Sequence, residues 1–549
     1  MFLSGGRRMA FFSDFCTTDD MALNLYHALQ FCAENNESSL IFEKGSYFFT
    51  PEMASEDVLH ISNHDVYGIT RIAFLLKNLK NFTIDGGGST FMFHGILTPF
   101  AVRFCENITI KNLTIDYDDV MLLEMKVTKV GKGYFDAKVT NSSGYELQGE
   151  NFYYTNGEGI RDPFFYFMIR SRDGQQEFAP AANDYYSVNN SALYFGEGED
   201  GAIRIFGSGA EERLCVGMNI ISRGRLRYGC NFFCERSKDL RLENVTMYKS
   251  LAMGVLAQKC ENVSIDRMVV KAGEGCLCSL NADATHFVNC KGLVKVTNSE
   301  FSEQLDDALN VHGEFNPIVG KTEEYVLIKY VHESAKGLEI YEKGDRIAVL
   351  APKTLISKME CVVERAEVIN LNYTKLYLQG GTQGIQIGDV VEDLTWNCDL
   401  IFQKNRVTNN RARGLLIATK GKVQICDNYF CTPGISIKFE SDGRYWFEAG
   451  GTTDVEISGN VFEHCNFTHS WGRGVILVSP REEFHDGEFY HQKISVTDNR
   501  FLKNCTELMY IDNVKEYTFL QNEVQDYTPE MLGSVKNCGT VTMDLPESL

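Results

Sequence analysis

A chain of 549 residues with 44% apolar and 23% charged side chains has a globular composition, with length enough for a large core or several domains. The net charge of −21 disfavours nucleic acid and anionic membranes as partners, and weakly disfavours a polyanionic substrate. No window reaches the roughly 18 consecutive apolar residues of a membrane-spanning helix.

The opening MFLSGGRRMAFFSDF lacks an apolar export core with a small-residue cleavage site. A cytoplasmic protein is expected, or a secreted one where a leader has been removed. Beyond it, Met21, Leu23, Leu25, Ala28, Leu29 and Phe31 fall on one helical face, and LIFEKGSYFF follows as strand and turn. A short helix here suits the open end of a repeat array, whose first strand edges are otherwise unpaired.

Seven segments then repeat one theme of polar turn, short alternating strand, Asn or Asp turn and second apolar strand. Among them are CENITIKNLTI (105–115), SKDLRLENVTM (237–247), CENVSIDRMVV (260–270), CKGLVKVTNSEF (290–301) and TTDVEISGNVF (452–462). Leu240 to Val263 spans 23 residues and Val263 to Leu293 spans 30, the coil length of a parallel-strand solenoid. The fold class is therefore all-β, a parallel β-helix. Two regions break the pattern and read as small antiparallel β-barrels. The expected domains are cap and first coils (1–117), an insert (118–215), central coils (216–314), a second insert (315–393) and last coils (394–549).

The 17 cysteines are odd in number and scattered, with no CxxC pair, so reduced thiols are expected and a metal site is not. Cys105, Cys260 and Cys290 each precede the same turn, which points to a buried column of small apolar thiols.

QLDDALNVHG (304–313) is the stretch that carries chemistry. Strand alternation turns Asp306, Asn310 and His312 outward and Asp307 toward the core, where a lone carboxylate costs several kcal/mol. In SLNADATHF (279–287), Asn281, Asp283 and Thr285 share the outward face. Asp283 and Asp306 are 23 residues apart, one coil, and so are expected on adjacent rungs about 4.8 Å apart. Three carboxylates that close repel, which keeps one protonated while another ionises. Glycosidic hydrolysis uses that division into acid and base.

NADATHFVNCKG (281–292) with QLDDALNVHG, and DGRYWFEAGG (442–451), resemble glycoside hydrolase family 110, the exo-acting α-1,3-galactosidases. The resemblance runs over most of the chain and is most specific from 281 to 451. It implies a right-handed parallel β-helix with barrel inserts, and removal of terminal α-1,3-linked galactose from an oligosaccharide of blood group B type. It further implies inversion, no metal or other cofactor, and Asp283, Asp306 and Asp307 as the catalytic trio. By analogy with polygalacturonases, Asp306 is the general acid and Asp283 with Asp307 hold the attacking water. Inversion ordinarily separates acid and base by about 6.5–9.5 Å and retention by about 5–5.5 Å, so carboxyl distances near 5 Å count against inversion.

Expected substrate contacts are Asn281, Asn310, His312, Lys438, Glu440, Trp446 and Glu448, with His312 equally suited to a structural hydrogen bond and Trp446 to turn packing. Arg225 and Arg227 are weaker candidates. Two other readings stand beside the galactosidase: a polygalacturonase-like hydrolase, which needs cations around its cleft, and a non-catalytic carbohydrate-binding β-helix. A homodimer is expected, since solenoid flanks and inserts commonly pair.

Overall fold

The computed structural model describes residues 9–548 except 66, 142, 157, 172–185, 188–192, 208, 210–213, 469–470, 480–486 and 504–506. The export-like question attached to MFLSGGRR falls outside the described residues.

The repeats wind into a parallel β-helix with three strand ladders per coil. The first runs through Leu240, Val263, Val294, Leu400, Val423, Val455 and Ile494, which are register partners from coil to coil. The second carries Phe301, Val407, Phe430, Phe462 and Phe501. The third links Phe232–Glu235, Val255–Gln258, Thr285–Val288, Leu309–Lys321, Arg413–Ile417 and Ile435–Phe439. Alternate residues of all three turn inward and are buried, giving one continuous apolar core. The coil after Val263 is one residue longer than its spacing suggests. Val263 pairs with Val294, not Leu293, because a bulge enters next to Gly292, which sits at φ 69°.

The polar turns between ladders need left-handed backbone, and asparagine tolerates it best after glycine. Asn107, Asn244, Asn262, Asn298 and Asp427 all stand at φ between 52° and 60°. Inside the C-terminal coils five buried asparagines stack. The amide nitrogens of Asn405, Asn428, Asn460 and Asn499 donate to the side-chain oxygen of the next coil's asparagine, at 2.9 to 3.0 Å. Asn460 also donates to the Ile425 carbonyl at 2.8 Å. Asn460→Ala strands buried donors and acceptors on two coils at once. It is expected to cost about 2–4 kcal/mol, read as a lower urea midpoint.

Helix Met21–Asn35 covers the N-terminal coil. Its N-cap Asp20 accepts from the Leu23 amide, and Asn36 closes it in left-handed conformation. Leu25, Ala28, Leu29 and Cys32 join the solenoid core. Among the described residues no helix is long and apolar enough to cross a membrane. The described cysteines are all free thiols. Burial pushes Cys234, Cys260 and Cys290 well above the ordinary thiol range, as suits an apolar column.

Both inserts leave and rejoin the solenoid without breaking its register. The first is a nine-stranded antiparallel sheet around Leu123, Met125, Phe135, Phe152, Tyr154 and Ile205. Its last strand, Asn219–Gly224, pairs with Arg161–Ser171 and Leu122–Gly131, so the insert runs past residue 215. The second begins as a continuation of Leu309–Lys321. It closes through Tyr325–Lys329, Tyr373–Leu378, Ser357–Asn370, Arg346–Leu350 and Val390–Asp393 into a six-stranded antiparallel ring.

Candidate active site

A cleft of about 500 Å³ opens on the outer face of the third ladder. One column of register partners, His286, Asn310, Leu416 and Lys438, forms its floor. The bends just before those strands supply the charges: Asp283 before Thr285, Asp306 and Asp307 before Leu309, and Arg413 at the start of its own strand. QLDDA is therefore a bend between ladders and not the strand that alternation suggests. Its strand starts at Leu309.

The rung here measures 24 residues, since Thr285 pairs with Leu309. Asp283 is consequently level with Asp307, whose carbonyl accepts the Ala284 amide at 2.8 Å, and Asp306 lies to one side. Asp307 is buried, but it faces the cleft with the other two carboxylates and not the apolar core. Arg413 Nη2 reaches its Oδ2 at 2.8 Å, and the Arg413 amide donates to its Oδ1 at 3.0 Å. An oxygen from each of Asp283, Asp306 and Asp307 lies within 4.8 Å of the others. That is closer than the two-carboxylate spacing for inversion. Three carboxylates this close are enough to surround a cation, but Arg227, Arg411 and Arg413 already meet their charge, at 3.5, 3.8 and 2.8 Å.

The three groups differ in environment. Burial, with Asp306 next to it, pushes Asp283 up to about 7. Burial pushes Asp307 well above the carboxylate range despite the pull of Arg413. Burial raises Asp306 too, but Arg411, Arg413, Arg227 and Arg223 outweigh it and hold that carboxyl below the usual range. The side chain of Asp306 is 16% exposed against 5% for Asp283 and 1% for Asp307, so Asp306 faces the mouth.

Walls come from several elements. Arg223 lies in the last strand of the first insert and Arg227 just beyond it, where its Nη1 donates to the Asn63 carbonyl at 3.0 Å. Opposite, Asp442 accepts the amides of Arg444, Tyr445 and Trp446 at 2.8 to 3.0 Å, which fixes the aromatic loop at the rim. Trp446 packs at a tilt against His332 of the second insert, 4.5 Å between centroids. Glu448 belongs to a two-residue strand paired with Gly313 and Glu314. Lys438 and Glu440 pair with each other at the cleft surface.

Of the expected substrate contacts, Asn310, Lys438, Glu440, Trp446 and Glu448 line the cleft, and two do not. Asn281 is buried, donating to the Val120 and Leu251 carbonyls at 3.1 and 3.5 Å. His312 is buried behind the floor, its Nδ1 2.7 Å from the Gly313 oxygen. Asn281 was placed outward by carrying strand alternation through a bend, which resets the phase. The same reset hides His286, which alternation turns inward and the structure turns to the cleft. His312 keeps the outer face with Asn310, since Leu309 and Val311 face the core, and is covered where Gly313 and Glu314 pair with Ala449 and Glu448. Arg225 is exposed and lines no part of it. Arg411, Arg413 and Trp471 went unseen because the second insert separates Arg413 from Asp307 by 106 residues, although the two are one coil apart.

The family model for the GLAA-B β-barrel domain II matches residues 325–391, within the six-stranded ring. An α-1,3-galactosidase A of Shewanella woodyi is 30% identical over 513 residues, covering 92% of this chain and 83% of that protein. An α-1,3-galactosidase B of Bacteroides thetaiotaomicron is 26% identical over 530 residues, covering 93% and 85%. A solved exopolygalacturonase of Thermotoga maritima aligns over 94% of the chain and 92% of its own at a TM-score of 0.40 and 11% identity, which decides nothing about the reaction.

Proposed function

Because the chain belongs to the α-1,3-galactosidases of glycoside hydrolase family 110, we propose that its cleft removes terminal α-1,3-linked galactose, on linear or blood group B type glycans, with inversion. The observation that carries this reading is the carboxylate trio beside a half-exposed tryptophan in a cleft open at one rim. A pyranose offers an apolar face to such a ring and hydroxyls to Asn310, Lys438, Glu440 and Glu448.

Asp306, nearest the mouth, meets the leaving-group oxygen and acts as acid. Asp283 and Asp307 hold the water. Two oxygens that both bond one water at about 2.7–2.8 Å stand roughly 4.5 Å apart, which suits this trio. The two-carboxylate spacing rule alone favours retention, but two deep carboxylates around one water and a third at the mouth favour inversion. The arginines hold Asp306 ionised in the empty site. A sugar seated over it removes its remaining water, which raises its affinity for the proton.

Cations do gather at the cleft, as a uronate-binding hydrolase requires. They are met by carboxylates within the protein: Arg227 and Arg411 share Asp306, Arg413 reaches Asp307 and Lys438 pairs with Glu440. Those contacts support a neutral sugar. The test offers the enzyme galactose-α-1,3-galactose and polygalacturonate and follows products by proton NMR. Free galactose from the first alone, appearing as the β-anomer, is expected. Release of uronate sinks the substrate assignment, and α-galactose appearing first sinks inversion.

A further inference from the structure

Behind the cleft floor a hydrogen-bonded chain runs from Asp283 to the backbone. His312 Nδ1 lies 2.7 Å from the Gly313 carbonyl oxygen, which only accepts, so that nitrogen carries a hydrogen. His312 Nε2 and His286 Nε2 are 2.9 Å apart, and a bond between two ring nitrogens needs one hydrogen. His286 Nδ1 and Asp283 Oδ2, 2.6 Å apart, need another. Three bonds need three hydrogens. An ionised Asp283 with two neutral imidazoles supplies two.

We propose that Asp283, His286 and His312 hold one further proton in common, which makes the two histidines positioning residues of a proton store behind the cleft. The count is the same whichever atoms own the hydrogens: a protonated Asp283 with two neutral rings, or an ionised Asp283 beside one imidazolium. Asp306, Arg227 and Glu448 face His286 from the cleft, and His64 lies near it on another side. Glu448 Oε1 stands 3.8 Å from His312 Nε2. Burial, and then His312, pushes His286 well below the ordinary imidazole range, which weights the shared proton toward the carboxyl.

The store is read from the hydrogen bonds alone; its use in turnover rests on the base role proposed above for Asp283. It lets a protonated Asp283 still serve as base. The water oxygen bonds to the anomeric carbon and gives a proton to Asp283 Oδ1, while the hydrogen on Oδ2 passes to His286 Nδ1. The bond from the anomeric carbon to the leaving oxygen breaks as Asp306 protonates that oxygen. Asp283 keeps one proton, His286 gains one and Asp306 loses one. After product leaves, the surplus returns to Asp306.

The test compares pH profiles of kcat/KM for wild type, His312→Phe and His286→Phe on galactose-α-1,3-galactose. Wild type is expected to rise with pH through a limb near 7, as Asp283 ionises to a stronger base, and to keep below it a lower plateau that the store carries. His312→Phe removes the acceptor from His286 Nε2. The ring is then free to carry its hydrogen on Nδ1 and donate to an ionised Asp283. The limb should move about one pH unit or more to lower pH. His286→Phe leaves Asp283 buried without its partner, and the limb should move to higher pH. Shifts in opposite directions support the store; an unmoved limb with lower kcat, or two shifts of one sign, overturns it. A wild-type limb that falls with pH overturns the base role of Asp283 alone, since the two variants still shift it oppositely. Should a variant fold poorly, nitrogen-15 NMR of histidine in wild type decides. A hydrogen bond between the two Nε2 atoms, present below about pH 7 and lost above it, is expected. A neutral His286 with its hydrogen on Nδ1 below that pH overturns the proposal.

Discussion

Asp306→Asn is expected to lower kcat/KM on galactose-α-1,3-galactose by about 10²–10⁴-fold, the usual worth of a positioned general acid. The amide keeps the shape and keeps a group for Arg227 and Arg411 to approach, but it has no proton to give. KM should change little, because the group acts on the leaving oxygen in the transition state. The loss should also depend on the leaving group. A galactoside whose aglycone leaves readily as an anion needs little protonation, so the variant should recover much of its rate on an aryl α-galactoside. Equal losses on both substrates count against Asp306 as acid. Wild-type rates on both in the variant remove it from the chemistry altogether.

Arg413→Leu should produce the largest stability loss at the site. The guanidinium and the amide of Arg413 together account for Asp307. Removing one partner of a buried pair commonly costs about 3–5 kcal/mol, because the other charge is left without compensation. Here Asp307 has an escape, since burial already pushes it above the carboxylate range and protonation relieves the penalty. The sign follows from linkage. A carboxyl raised in the folded state binds its proton more tightly there than in the unfolded chain. Its stability is complete below about pH 4 and is lost as pH rises toward the folded value. Urea unfolding of Arg413→Leu should therefore show a smaller deficit against wild type at pH 5 than at pH 8. A deficit that does not change with pH means that Asp307 keeps the same protonation state in both proteins across that range.

The solenoid could be read from the chain because its physics is local. Each coil repeats the same inward positions, and asparagine marks the turns where left-handed backbone is needed, so CENVSIDRMVV and SKDLRLENVTM align by eye. The helix over Met21–Asn35 was equally plain from its apolar face. The carboxylate trio was legible as a cluster and not in detail. The 23-residue spacing paired Asp283 with Asp306, whereas the ladder pairs its bend with that of Asp307. The error comes from treating a bend as strand, and it also misplaced Asn281 and hid His286. What the chain hid most completely is the arginine set. Arg413 meets Asp307 across a rung only because the six-stranded ring between them leaves and rejoins the solenoid at one coil. Sequence distance says nothing of that closure.

The asparagine stack has a direction. The backbone amides of Asn405, Asn428, Asn460 and Asn499 all donate toward the C-terminus, to a side chain one coil further on. A chain emerging from the ribosome therefore finishes each coil with a group not yet made. The backbone of Asn428 waits for Asn460, Asn460 for Asn499, and Asn499 for Asn522. Synthesis in that order keeps the newest turn provisional until its successor arrives, and a chain cut short before Asn522 ends on an open amide at Asn499.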